Sequence, residues 1–264
     1  MRTSVHRPIR RGFTMVELLV TLAIIVVLTT LGFQVYRAAR TRANESVSTT
    51  NLRQLAAANL LYAADNTTYA PAGEPSNRIR WHGGRTGVGA KFDPTKGYLS
   101  DYLGLSRRVG ICPEFKDHLS GSSSWEDGSG GYGYNSIYIG GLPNDTFKPN
   151  RPAAVNDPGR TLMFATTALS KADGIQEYPS ADPPKSVDAN WRLRGNLQPS
   201  IHFRFNGRAL IAWCDGHVSE EAGDFGKKSG KADTETNFYG GNNEEAKIGF
   251  CGPTENNGWW NPRN

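Results

Sequence analysis

Between Phe13 and Val35 the only ionisable side chain is Glu17, and a carboxylate in so apolar a run is suited to pairing with a cation brought to it. Insertion scales place a charged side chain at the centre of a membrane helix at roughly 2.5–3.5 kcal/mol, so an intramembrane acid is read as half of a functional pair. Further along, Asp215-Gly216-His217 together with His202 offers a carboxylate and two imidazoles, a donor set that suits zinc or iron. The same Asp-Gly pair is also a turn former whose carboxylate bonds its own backbone. No D-x-D-x-D-G calcium-loop spacing occurs. Cys112, Cys214 and Cys251 show no C-x-x-C spacing, which excludes a zinc ribbon or a thioredoxin-type pair. Cys112 and Cys251 sit in turn-like surroundings and Cys214 ends a strand-like run. Two readings stay open: a Cys112–Cys251 disulfide in an exported domain, or three reduced thiols.

Catalytic signatures are absent from the sequence. It contains no G-x-S-x-G, no H-E-x-x-H, no P-loop, and no G-x-G-x-x-G placed between a strand and a helix. Cys112-Pro113 gives no reason for an activated thiolate, and Asp173, Asp182 and Asp188 around Pro183-Pro184 read as an ordinary loop. The expectation is a protein that is not an enzyme.

The elements that position these residues follow from periodicity. The mostly apolar run from Phe13 to Val35 is long enough to cross a bilayer core, which takes about 20 residues. Leu52, Leu55, Ala56, Asn59, Tyr62 and Ala63 then keep helical spacing. One helix from about Thr14 to Ala64 would be about 75 Å long at 1.5 Å per residue. Gly32 and the polar stretch 44–51 are places where it could bend or fray, and Asp65-Asn66-Thr67-Thr68 followed by Pro71 and Gly73 supply the stop. Strand-like runs cover 132–139, 160–167, 200–205 and 208–214. Asn206-Gly207 between the last two favours a type I′ hairpin. Its register places Phe205 opposite Arg208, Phe203 opposite Leu210 and Ile201 opposite Ala212. Ile201, Phe203, Leu210, Ala212 and Cys214 then share the face that packs on the helix, with His202, Arg204, Ile211 and Trp213 on the other. The Gly- and Ser-rich 120–133 and the Gly-, Lys- and Asn-rich 222–243 read as surface loops. Trp259-Trp260 reads as a docked terminus.

The formal charge of +5 comes from 30 basic against 25 acidic residues. Four of the basic ones, Arg2, Arg7, Arg10 and Arg11, precede the apolar run, so the remainder is 26 against 25. No basic footprint for nucleic acid is left.

Gly12, Phe13, Thr14, Glu17 and Leu18 match the G-F-T-x-x-E-L pattern of type IV pilins and type II secretion pseudopilins, and the short basic stretch before them resembles a prepilin leader. A secretory signal would have a shorter apolar core and an A-x-A site. A twin-arginine signal accounts for Arg10-Arg11 but not for Glu17, and a plain anchor leaves the Gly-Phe-Thr junction unexplained. The resemblance implies cleavage after Gly12 by prepilin peptidase, N-methylation of Phe13, and Glu17 meeting a neighbouring subunit's amine. It implies residence in the inner membrane with the head periplasmic or extracellular, partners that are copies of this chain and other pilins, and, because related pseudopilins bind calcium near their C-termini, calcium as a further candidate metal.

Later segments resemble a bacterial prepilin-like group with a C-terminal H-x9-DG motif: Asn51 to Leu55, Ile111-Cys112-Pro113, Tyr132 to Asn135, Pro158 to Ala165, and most strongly Asn206-Gly207-Arg208 through Asp215-Gly216-His217-Val218. Phe205 stands where that motif has its His. Together these readings give an α+β, pilin-like fold: leader 1–12, membrane and filament-core helix 13–35, amphipathic continuation 36–66, and an antiparallel head 67–264. The competing reading is a membrane-anchored exported enzyme or carbohydrate-binding module whose leader resembles a prepilin's by chance.

Overall fold

Residues Met15–Asn66 form the helix α1, in keeping with a stretch rich in Ala and Leu that contains no proline. In the computed structural model the described residues are 14–87, 89–120, 126–141, 148–188, 190–225 and 239–264; the leader with Gly12 and Phe13 lies outside them. The chain divides into two units, Met1–Ala43 and Asn44–Asn264. In the first, α1 passes through Gly32 without a break, and its apolar side chains from Met15 to Tyr36 are exposed. Three of its threonine hydroxyls bond within the helix: Thr21 Oγ1 donates to the Leu18 carbonyl, Thr29 Oγ1 to the Ile25 carbonyl and Thr30 Oγ1 to the Val27 carbonyl. These three hydroxyls would not be left unsatisfied in lipid, and the helix is long and apolar enough to cross a membrane.

The second unit is built on short strands: β1 Ile79–Arg80, β2 Gly83–Gly84, β3 Tyr132–Tyr134, β4 Leu162–Thr166, β5 Leu169–Lys171, β6 Gly174–Gln176, β7 Lys185–Val187, β8 Leu193–Asn196, β9 Ile201–His202, β10 Arg208–Trp213, β11 Val218–Phe225 and β12 Ile248–Cys251. Six form one antiparallel sheet in the order β3-β4-β10-β11-β12-β9. The sheet curls until β9 meets the end of β4, where Thr167 bridges Ile201 and the Ala168 amide donates to the Ser200 carbonyl at 3.0 Å. The fold is α+β, with the later turns of α1 on one face of the sheet.

Alternation along β10 explains both faces. Leu210, Ala212 and Cys214 share a buried cluster with Leu52, Leu55, Ala56 and Ala63 of α1, whereas Ala209, Ile211 and Trp213 join Ile201, Phe203, Phe250 and Trp260 on the other side. Burying each large aliphatic or aromatic side chain contributes roughly 1.5–3 kcal/mol. Trp260 is fully buried and its Nε1 donates to the Ala181 carbonyl at 2.9 Å, so the C-terminus docks as expected.

Asn59 orders the helix against this sheet. Its Nδ2 donates to Tyr134 Oη at 3.0 Å, its Oδ1 accepts from the Ala70 amide at 2.8 Å, and Tyr134 Oη donates on to the Ala70 carbonyl. All three residues are buried. Asn59→Ala strands the Ala70 amide and leaves a void, so we expect a loss of about 2–4 kcal/mol, measured as a lowered denaturation midpoint of the detergent-solubilised chain. Asn59→Asp, which keeps the acceptor and loses the donor, should also destabilise.

Several expectations need correction. The Asn206-Gly207 turn forms as read: both residues have positive φ, 51° and 79°, and Phe205 and Arg208 exchange backbone hydrogen bonds of 3.1 and 2.9 Å. The hairpin ends there. Phe203 pairs instead with Lys247 beside β12, because its ring lies over Gly223 of β11, where an added Cβ would be 1.7 Å from the ring. Ile201 and Phe203 therefore pack away from the helix. The run 132–139 is a strand only to Tyr134. Beyond it Ser136–Gly140 makes a π-helical turn, capped by Asn135, whose Oδ1 accepts from the Tyr138 amide. The loop expected from 222 begins as strand, since β11 extends to Phe225. Ser129 to Gly133 are buried rather than a surface excursion, held by Glu177, whose carboxylate accepts from the amides of Gly128 and Gly130 at 2.8 and 3.0 Å.

Candidate functional site

Two regions carry the residues singled out by sequence. The first is the start of α1. Thr14 caps the helix: its Oγ1 accepts from the Glu17 amide at 3.2 Å, while Glu17 Oε2 accepts from the Thr14 amide and hydroxyl, both at 2.9 Å. This is a reciprocal capping box, in which an N-terminal Thr and an acid three residues on satisfy each other's backbone donors. Such caps contribute about 1 kcal/mol, and the acid sits at the positive end of the helix dipole. The carboxylate is thereby held at the N-terminal edge of the apolar helix, three residues from Thr14. Sequence reasoning missed Thr14 as its partner, although the T-x-x-E spacing was there to read.

The exposed ring of apolar side chains around Glu17 is the other half of this site. Met15, Val16, Leu18, Leu19, Val20 and Leu22 are all exposed, so every surface near the carboxylate is suited to lipid or to another helix. A Glu there has a local partner in Thr14, and its exposed position at the start of α1 leaves it open to a cation.

The second region is 206–217, which is strand β10 with a tight turn at each end. Asp215 Oδ1 accepts from the His217 amide at 3.0 Å and lies 2.7 Å from His217 Nδ1. Gly216 has φ of 93°, and its amide donates to the Trp213 carbonyl at 3.0 Å. The His217 ring stacks on Trp213 at 5.7 Å. Asp215 is spent on the turn between β10 and β11, so the pair is a structural corner. His202 does not join it: it is buried, with its ring against His118 at 5.0 Å and Phe115 at 6.1 Å. Among the described residues no group of three His, Cys, Asp or Glu side chains could hold a metal ion. Phe205, standing at the expected motif histidine, is a buried member of the cluster beneath α1.

The Cys112–Cys251 pairing is also corrected. All three cysteines are free and buried, and Cys112 belongs to the cluster facing α1 whereas Cys251 belongs to the opposite one. Cys112 Sγ instead accepts from Ser48 Oγ of α1 at 3.1 Å. Burial pushes the Cys214 thiol up to about 12 and raises that of Cys251 as well, which keeps both protonated and poor nucleophiles at neutral pH.

Against known proteins, residues 7–33 match the prokaryotic N-terminal methylation motif. The match spans the leader junction, Glu17 and the exposed apolar part of α1, and it does not reach the 206–217 segment. No curated protein and no solved structure matches the chain.

Proposed function

We propose that this chain, a type IV pilin- or pseudopilin-like prepilin by its N-terminus, is a structural subunit of a type IV pilus-like or type II secretion pseudopilus filament. In this reading prepilin peptidase removes 1–12, the new amine of Phe13 is methylated, and 13–35 rests in the inner membrane until assembly. The helix continues through 36–66 and carries the head, 67–264, outside the membrane. The observation that carries the reading is the coincidence of the methylation motif at 7–33 with a first part of α1, Met15 to Tyr36, whose large apolar side chains are exposed around one carboxylate.

Assembly then follows from burial. Apolar residues from Leu18 to Leu31 exchange lipid for the same residues of neighbouring subunits, where packing rather than hydrophobicity decides the geometry. Glu17 supplies the polar contact, since a carboxylate and a methylated ammonium that meet in a low-dielectric core relieve each other's desolvation. Methylation keeps the amine's positive charge. Partners are therefore prepilin peptidase, copies of this chain and other pilins.

The test is mass spectrometry of the protein from its native membrane. The expected mature form begins at Phe13 and carries one added methyl group. An intact leader, or cleavage at another bond, overturns the proposal.

A further inference from the structure

The head contains a cleft of apolar and polar side chains that the filament reading does not use. It has a volume of about 470 Å³, within the roughly 300–1,000 Å³ typical of small-molecule sites. Its wall combines Trp81, Leu169 and Pro179 with Arg80, Glu126, Lys171, Gln176, Tyr178, Ser180, Asp182 and Tyr239. The fixed charges balance, two basic against two acidic, and the strongest pair is internal, Arg80 binding Glu126 through both terminal nitrogens. A ligand of high charge of either sign would have to compete with that pair, whereas a neutral ligand need not.

The remaining polar groups are arranged around hydrogen bonding. Asp182 Oδ2 accepts from Tyr178 Oη at 2.7 Å, its other oxygen accepts from Ser180 Oγ, and its amide donates to Ser200 Oγ at 2.9 Å. Gln176 is the informative residue. It lines the cleft and is only 8% exposed, and its Oε1 has no hydrogen-bond partner among the described residues. A buried acceptor left unpaired costs about 1–3 kcal/mol, a cost that a donor on a bound molecule would relieve. Tyr239 is half exposed at the wall, and an aromatic ring with one apolar face and a polar edge suits a flat, hydroxyl-bearing ligand.

We propose that this cleft binds a neutral, hydroxyl-rich ligand, a saccharide unit, with Gln176 accepting from a ligand hydroxyl and the Tyr239 ring packing on its C–H face. Hydroxyls both donate and accept, which matches a wall that mixes unpaired acceptor, carboxylate and ammonium within one small volume. The site lies wholly in the head and does not rest on the filament reading.

The test uses the full-length chain in a detergent without a sugar head group, titrated with maltose, cellobiose and diacetylchitobiose, and with putrescine as a cationic comparison, by calorimetry and saturation-transfer NMR. At least one disaccharide is expected to bind with Kd in the millimolar range or tighter. Gln176→Ala and Tyr239→Ala should each weaken that binding about tenfold, the loss of about 1.4 kcal/mol expected for one contact, with thermal unfolding unchanged for the half-exposed Tyr239→Ala. Should Gln176→Ala fail to fold, the exposed Tyr239→Ala carries the test alone. Failure of every disaccharide to bind, or binding that survives Tyr239→Ala unchanged, overturns the proposal. So does binding of putrescine in place of the sugars, abolished by Asp182→Asn, which would make the cleft an amine site.

Discussion

Glu17→Gln is expected to be cleaved and methylated normally yet to enter filaments at least tenfold less efficiently than the unmodified chain, as read by the ratio of sheared filament to membrane-retained protein. The substitution keeps the size of the side chain and its ability to accept from Thr14, so the helix start survives. What it removes is charge. An ammonium at Phe13 of an adjoining subunit would then be buried among apolar helices without its counter-ion, and a charged group at such depth costs roughly 2.5–3.5 kcal/mol. Each 1.4 kcal/mol is tenfold in an equilibrium, so the full cost corresponds to a deficit of about sixtyfold to three hundredfold. Thr14→Ala is the discriminating companion. It removes the hydroxyl that both accepts from the Glu17 amide and donates to its carboxylate, costing the helix about 1 kcal/mol, but leaves the negative charge in place. If assembly depends on charge pairing, Thr14→Ala assembles well and Glu17→Gln does not. If Glu17 acts only as a helix cap, the order reverses, and the assembly role assigned to it falls.

The parts of this molecule legible in sequence are those governed by local rules. Glu17 stands out because one carboxylate in an apolar run violates a pattern, and Asn206-Gly207 because only residues tolerant of positive φ make that turn. What fails are inferences that extend a local rule across space. The register computed outward from Asn206-Gly207 is right for Phe205 and Arg208 and wrong two residues further, because Phe203 finds room over Gly223, far along the chain after an intervening strand and turn. Strands β11 and β12 escape a sequence reading for a related reason: β11 carries Ser219, Glu220, Glu221 and Asp224 on a half-exposed surface, so its composition resembles a loop. The cleft illustrates both cases. Tyr178, Ser180 and Asp182 alternate, which in an extended chain points three polar groups to one side, and that signal is present in the sequence. The approach of Arg80 and Glu126, by contrast, depends on how two distant segments pack.

Acidification supplies the second large effect. His82 is buried, with both ring nitrogens unpartnered among the described residues, enclosed by Trp81 at 5.0 Å and Phe92 at 4.8 Å. Burial, reinforced by the neighbouring Arg80 and Arg85 guanidinium groups, holds its pKa down to about 3 from the ordinary 6.5. A group with a depressed imidazole pKa takes up its proton in the unfolded chain first. Its contribution is therefore complete above pH 6.5 and is lost as pH falls from 6.5 towards 3. At about pH 5 the loss from His82 alone is about 2 kcal/mol, at roughly 1.36 kcal/mol per unit. His202, buried near Arg204, His118 and Lys247, is depressed in the same direction. Glu177 and Asp182 act oppositely: burial raises both carboxyl groups, so the stability they withhold as anions is recovered as pH falls through their raised values. The net curve mixes these signs, and a difference isolates one of them. His82→Phe cannot take a proton, and it replaces two unpartnered nitrogens with carbon in a pocket already lined by aromatic rings. The unfolding free energy of the unmodified chain minus that of His82→Phe, measured by denaturant titration in detergent, is expected to fall by about 2 kcal/mol between pH 7 and pH 5. A difference that stays flat across that interval would show that His82 protonates in the folded head, which requires water or a partner to reach a ring that lies between Trp81 and Phe92.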